Sequence, residues 1–237
     1  MHCFFCRNIG DAGDCAELDE ADFKHLFKTL RARIGEKIEL TDGNGCIAIA
    51  EITNGHRIVV RERQLFTPPA RRIHLFTAPP KKQKMDQLLK QCAETGIWSI
   101  TPMLTARTIS TPEKKSVLER WRTLLQEGCK QAKNPFMPDI VMPVPFEYAL
   151  DNATGMCNTC YFGSPADGDN SFDTLRPGAD VAWFVGPEGG FTETEETFMR
   201  ERGFTALKIG AWVMRVETAA ICGAAVLGFC GNAENCS

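Results

Sequence analysis

Two stretches of the chain carry residue types suited to holding a small ligand. The first is Gly186-Pro187-Glu188-Gly189-Gly190, which follows the apolar run Val181–Val185 and precedes Phe191-Thr192-Glu193-Thr194-Glu195. A buried strand that enters a glycine-rich turn leaves backbone N–H groups free to face a ligand and lets that ligand come close. Thr192 and Glu195 stand at capping-box spacing, so a helix is expected to start there, and Gly203 is placed to end it. Ligands of open α/β sheets bind at the carboxyl ends of strands, where this turn would sit. The turn is neither GxGxxG nor GxxxxGK[ST], which sets aside the dinucleotide fingerprint and the P-loop. By itself GPEGG suits a structural turn as well as a binding loop.

The second stretch is Gly210-Ala-Trp-Val-Met-Arg-Val-Glu-Thr-Ala219, after a strand closed by Leu207-Lys208-Ile209 and before an Ala-rich terminal helix, Ala219–Phe229. Arg215 is the one cation between Lys208 and the C-terminus. An arginine at a strand–helix junction beside Glu217 is either half of a salt bridge or a ligand clamp. The small residues Ala219, Ala220, Gly223, Ala224 and Ala225 let another backbone approach, whether for threading, a helix–helix contact or ordinary packing.

Positioning these loops falls to elements legible by their periodicity. Near the N-terminus an apolar CFFC run precedes a helix over about Glu20–Leu30, with Phe23, Leu26, Phe27 and Leu30 on one stripe. Strand-like runs follow at Lys37–Thr41, Cys46–Ile52 and Arg57–Leu65, separated by Asp42-Gly43-Asn44-Gly45 and Asn54-Gly55 turns, as in a small barrel. Thr67-Pro68-Pro69 reads as a linker. Strands and helices then alternate: Ile73–Ala78, the helix Lys81–Thr95 ended by Gly96, Ile97–Thr101, the helix Ser116–Gln131, weaker strands at Ile140–Val144 and Thr159–Gly163, and Val181–Val185. That rhythm predicts an α/β domain with a mainly parallel sheet over 72–237, preceded by a β-rich domain over 1–67.

Composition narrows the partners. Residues 71–133 carry 13 basic against 5 acidic side chains, net +8, whereas residues 134–237 carry 5 against 14, net −9. So a chain of overall charge −3 holds a local basic surplus fit for a polyanion. Lys24, Lys28, Arg31 and Arg33 add an acid-free basic stretch nearer the N-terminus. The longest apolar run, Ala219–Gly231, is too short to span a bilayer, and the opening residues lack a secretion signal, so a cytoplasmic protein is expected. Eleven cysteines include the pairs Cys3/Cys6 and Cys157/Cys160, whose four thiolates could hold zinc. About 150 residues of chain separate the pairs, and free cysteines acting as small buried hydrophobes are the better reading. The four histidines, His2, His25, His56 and His74, precede both motifs and read as surface or core residues.

Taken together, strand–GPEGGFTxxE–helix and strand–IGxxVMRxETA–helix resemble the ribosomal small-subunit RNA uracil-N3 methyltransferases of the knotted methyltransferase superfamily. Lys84-Met-Asp86, Glu94-Thr-Gly96, Ile100-Thr-Pro102 and Gln131-Ala-Lys-Asn134 with Pro138 resemble further family motifs. The N-terminal part resembles the family's PUA-like RNA-binding domain, so the similarity covers nearly the whole chain. The resemblance implies a C-terminal domain with a deep trefoil knot, a homodimer, S-adenosylmethionine as cofactor and ribosomal RNA or the small subunit as partner. By the same resemblance, Val185, Gly186, Pro187, Gly189 and Gly190 would form one wall of the cofactor pocket. Ile209, Gly210, Met214 and Thr218 would form the other. Arg215 would steady the uracil anion, and Glu188 is the candidate for its proton, in a turn that equally suits a structural role. RNA contacts would come from Lys24, Lys28, Arg31, Arg33, Lys84, Lys133 and Asn134. The reaction so implied needs no metal. Two departures stand out: Ala211-Trp212 replaces the family's usual proline or similar residue, which is expected to reshape the adenine pocket or its mouth. Lys133-Asn134-Pro135 stands where glycine and arginine are common. The rival readings are a knotted enzyme acting on a ribose 2′-hydroxyl or a guanine, a non-catalytic RNA-binding relative, and a flavodoxin-like or dehydrogenase domain.

Overall fold

The computed structural model describes residues 1–109, 111, 112, 114–165 and 180–230, the last without its side chain. Two units emerge: one formed by residues 1–68 with 126–137, the other by residues 69–125 with 138–237.

In the first unit five strands order as β1 (Cys3–Phe5), β3 (Lys37–Thr41), β4 (Cys46–Thr53), β5 (Arg57–Leu65) and β2 (Cys15–Ala16), in a curled half-barrel sheet. β1 runs parallel to β3 and the other pairs are antiparallel. β4 alternates buried and half-buried residues, the pattern of a strand with one face on a core. Its inward residues Ala48, Ala50 and Ile52 meet Ile38, Leu40, Ile58 and Val60. The expected helix over 20–30 is present in altered form. α1 (Glu20–Lys24), capped by Asp19, passes into a π-helical turn over His25–Thr29, where Leu30 N–H donates to His25 O at 2.9 Å. The wider turn breaks the 3.6-residue stripe. Leu26 is fully buried, while Phe23 is left 39% exposed and leans on the Phe27 ring at 4.7 Å.

The second unit is built on a seven-stranded, wholly parallel sheet. Along it lie β12 (Thr205–Leu207), β10 (Thr159–Gly163), β11 (Val181–Val185), β6 (Ile73–Thr77), β7 (Ser99–Leu104) and β8 (Asp139–Ile140), with β9 (Val144–Pro145) also paired to β7. The central pair, β6 and β11, is buried at every position, as strands covered on both faces must be. Phe76 and Phe184 stack across it at 4.4 Å. The helices are α2 (Lys82–Glu94), α3 (Lys115–Ala132, whose last turns belong to the first unit), α4 (Phe146–Met156), α5 (Glu193–Glu201) and α6 (Val216–Cys230). Three sequence expectations change. The strand expected at 140–144 is split into β8 and β9 around Val141–Pro143. β12 ends at Leu207, so Lys208 and Ile209 fall in the following loop. α4, which the sequence reading missed, buries Phe146, Ala149, Leu150 and Ala153 at helical spacing.

Burial also accounts for the thiols and for His74. All nine cysteines whose side chains are described are free, and desolvation pushes Cys160 up to about 11 and Cys157 and Cys3 up to about 12. Among the described residues no three His, Cys, Asp or Glu side chains gather as a metal site, and no helix is long and apolar enough to cross a membrane. His74 is 4% exposed, bonded to Ser99 Oγ at 2.7 Å, and held below its ordinary pKa by desolvation, with Asp180 opposing. Asp180 itself takes a bidentate pair of 2.6 Å bonds from Arg72.

The small-residue stripe of α6 has a definite occupant. A Cβ on Gly223 would lie 2.3 Å from Trp183 Cε2, and Trp183 Nε1 donates to Ala219 O at 3.2 Å. The indole of β11 thus fills the notch that glycine leaves. Gly223→Ala is expected to destabilise the fold by about 1–3 kcal/mol, since a rigid ring must move. Thermal unfolding should register a loss of several degrees; an unchanged midpoint would show that the ring yields freely.

Candidate active site

In a parallel sheet all strands end on the same edge, and the loops there have no sheet partners of their own. The carboxyl ends of β10, β11 and β12 converge on one pocket. From β10 come Gly163 and Ser164, from β11 the run Val185–Glu188 with Gly190 and Phe191, and from β12 the segment Leu207–Gly210. Trp212, Val213, Met214, Val216 and Ala219 complete it from the last loop and α6.

The glycine turn takes its shape from its own backbone. Gly190 N–H donates to Pro187 O at 2.8 Å, and Gly190 has φ +69°, a left-handed conformation that favours glycine. A Cβ on Gly186 would come within 3.1 Å of Phe191 N, so a larger residue would force this tight fold-back to give slightly. α5 begins at once, with Thr192 and Glu195 in a reciprocal capping box.

A brace from β7 locks this turn. After β7, Ala106 N–H donates to Glu195 Oε1 at 2.8 Å, while Glu195 Oε2 accepts from Thr192 N–H at 2.8 Å. Arg107 Nη1 donates to Gly189 O at 2.6 Å and to Phe191 O at 3.1 Å. A Cβ on Gly189 would sit 3.2 Å from Arg107 Cδ, so this glycine makes room for the brace. Glu195 is 9% exposed and each of its oxygens has a donor, as a buried carboxylate requires.

Charge collects beside the pocket. Lys84 Nζ on α2 lies 3.8 Å from Glu188 Oε1 in the turn and 3.8 Å from Glu217 Oε1 in the first turn of α6. Glu217 is buried, and its Oε2 has no hydrogen-bond partner among the described residues. Arg215 is exposed and has no ion-pair partner among the described residues, so of the two readings of Arg215 and Glu217 their mutual salt bridge is not formed.

Of the positions singled out in the sequence, Val185, Gly186, Pro187, Glu188, Gly190, Ile209, Gly210 and Met214 line the pocket. Gly189 faces Arg107, Thr218 is exposed in the first turn of α6, and neither belongs to the lining; nor does Arg215. Lys84 is held between two carboxylates. In the first unit Lys24, Lys28, Arg31 and Arg33 are all exposed, with Lys24 paired to Glu20. Lys133 bonds Glu39 at 3.0 Å, and Asn134 Oδ1 accepts from Phe136 N–H at 2.9 Å. Sequence reading missed Arg107 and the second role of Glu195, along with the lining residues Trp183, Phe191, Leu207 and Ser164.

Comparison with known proteins bears on this architecture directly. The RNA methyltransferase domain family matches residues 67–228, and the RNA methyltransferase PUA domain matches residues 18–62. The chain belongs to the RNA methyltransferase family. This methyltransferase superposes on a ribosomal RNA small subunit methyltransferase E from Neisseria gonorrhoeae bound to S-adenosyl methionine, with TM-score 0.87, 27% identity and 97% of each chain covered. Relatives called ribosomal RNA small subunit methyltransferase E are 26% identical in Synechocystis sp., covering 85% of this chain and 69% of the relative, and 25% identical in Aquifex aeolicus, covering 93% and 96%.

The brace of the methyltransferase can be measured. Glu195→Ala is expected to cost about 1.5–3 kcal/mol in urea unfolding, because two part-buried N–H donors lose a charged acceptor. Combined with Arg107→Ala, the losses should couple by about 0.5 kcal/mol or more, since both side chains hold one turn. Strict additivity would show that they act independently.

Proposed function

We propose that this methyltransferase moves the methyl group of S-adenosylmethionine to N3 of a uridine in small-subunit ribosomal RNA. The observation that carries the proposal is the pocket itself: a glycine turn closed by its own backbone, apolar walls beside it, and, between the lining residues Met214 and Val216, an exposed Arg215 with no ion-pair partner among the described residues. The walls fit the group. Ile209, Val213 and Met214 offer apolar surface to a nucleoside, with Trp183, Phe191 and Leu207 buried behind them, and the Glu188 carboxylate suits a cationic ligand. Val185, Gly186, Pro187, Gly190, Ile209, Gly210 and Met214 would hold the cofactor, with Gly189 acting through the brace and Thr218 from the start of α6. When bound, S-adenosylmethionine supplies a methyl group on a sulfonium, which is already a strong electrophile.

The protein's share of the chemistry is orientation and charge. Methylation at N3 requires the N3 proton to leave, and the uracil ring becomes anionic as it does. Arg215, exposed and without an ion-pair partner among the described residues, would stabilise that anion or orient the base. Glu188 is the carboxylate at the pocket able to take the proton, held in place by Lys84. Phosphates of the folded RNA would be gripped by the exposed Lys24, Lys28, Arg31 and Arg33, joined by Lys133, Lys84 and Asn134. A homodimer working in the cytoplasm belongs to the same proposal, and Phe229, 80% exposed on α6, is an apolar side chain such an isologous contact would cover.

Small subunits and their naked RNA, taken from cells lacking the enzyme, are the substrates for the test with methyl-labelled cofactor. Digestion should yield labelled 3-methyluridine, and Arg215→Ala should lower kcat by about 100-fold or more. Label in another nucleoside would keep the enzyme class and overturn the target; full activity of Arg215→Ala would remove that residue from the site.

A further inference from the structure

Three aromatic side chains line the pocket: Trp183, Phe191 and Trp212. Two are committed to the fold. Trp183 is fully buried against Gly223, and Phe191 is 7% exposed, its ring 5.9 Å from Phe146 and 6.3 Å from Phe162. Trp212 is 86% exposed, more than any other large apolar side chain among the described residues, and it makes no ring contact or hydrogen bond there. Single exposed apolar residues are common and need no explanation. This one differs in standing at the mouth of the pocket, three positions before Arg215, with Val213 beside it 79% exposed.

The surroundings say what the indole can receive. From Ile209 to Met214 the loop carries no charge, so it offers nothing to a phosphate and a wide apolar face to a flat ring. The target atom, N3, lies on the pairing edge of uracil, so the base must be unpaired and drawn out of its stack to be methylated. An aromatic face at the mouth returns the stacking that the base gives up, and such contacts tolerate any sequence around it. Arg215 then stands on the same loop for the polar edge of the ring.

We infer that Trp212 is the platform on which the extruded RNA base stacks as it enters the pocket, making it a substrate-positioning residue. The inference rests on the reading of this chain as a uridine methyltransferase. It assigns Trp212 to the RNA, and not to the cofactor or to a second copy of the chain.

The test uses the full chain with Trp212→Ala and Trp212→Phe. Of the four tryptophans, Trp183 and Trp121 are buried and Trp98 is half-buried, so exposed indole fluorescence belongs to Trp212. A uridine-containing oligoribonucleotide should quench it in the wild type and not in Trp212→Phe. Trp212→Ala should raise KM for RNA about tenfold, Trp212→Phe should stay within about threefold, and calorimetry should give both variants wild-type affinity for S-adenosylmethionine. Three results overturn the inference: an unchanged KM in Trp212→Ala, weakened cofactor affinity, or an altered oligomeric state by sedimentation. If the wild type methylates no RNA yet the oligonucleotide still quenches Trp212, the functional reading fails and the stacking site stands. If it does neither, both fall.

Discussion

A glycine-rich turn has almost no side chains with which to hold a shape, yet the pocket depends on one. The carboxylate of Glu195 resolves this by accepting from Thr192 N–H within its own helix start and from Ala106 N–H, 89 residues earlier in the chain. Arg107, next to Ala106, takes up the carbonyls of Gly189 and Phe191 that the turn leaves unsatisfied. The parallel sheet supplies the precondition, because β7 and β11 end on the same edge. One short turn after β7 thereby braces the loop after β11 that lines the pocket.

The second constraint is the indole of Trp183. It fills the space between β11 and α6, takes up the Ala219 carbonyl, and forms part of the pocket floor. Glu217 stands in the first turn of α6 and Arg215 directly before it, so this packing contact also bears on where those charged residues stand. Lys84 lies between Glu188 and Glu217, and Arg215 has no ion-pair partner among the described residues.

Much of this was legible in the residues. The five apolar residues of β11, the GPEGG turn and the Thr192/Glu195 cap are local patterns, and local patterns survive folding when the sheet around them is regular. The π-helical turn at His25–Thr29 was not legible, because the apolar spacing of Phe23, Leu26, Phe27 and Leu30 fits an unbroken helix as well. α4 keeps helical spacing at Phe146, Ala149, Leu150 and Ala153, but Pro143 and Pro145 just before it carry the signal of a break between elements. Arg107 left no trace at all. A lone arginine after a strand has no pattern, and its partners are carbonyls, which every residue possesses. Likewise Glu217 had Arg215 as its visible neighbour, while its actual partner, Lys84, comes from another helix.

The claim on which the rest turns is that the loops after β11 and β12 together form the cofactor pocket. Hydrogen exchange of the full chain with and without S-adenosylmethionine tests it most directly, since it reads every amide whatever the reaction may be. Protection confined to residues 186–191 and 208–218, with the first unit unchanged, is the predicted result. Protection elsewhere, or none at saturating cofactor, would contradict the account.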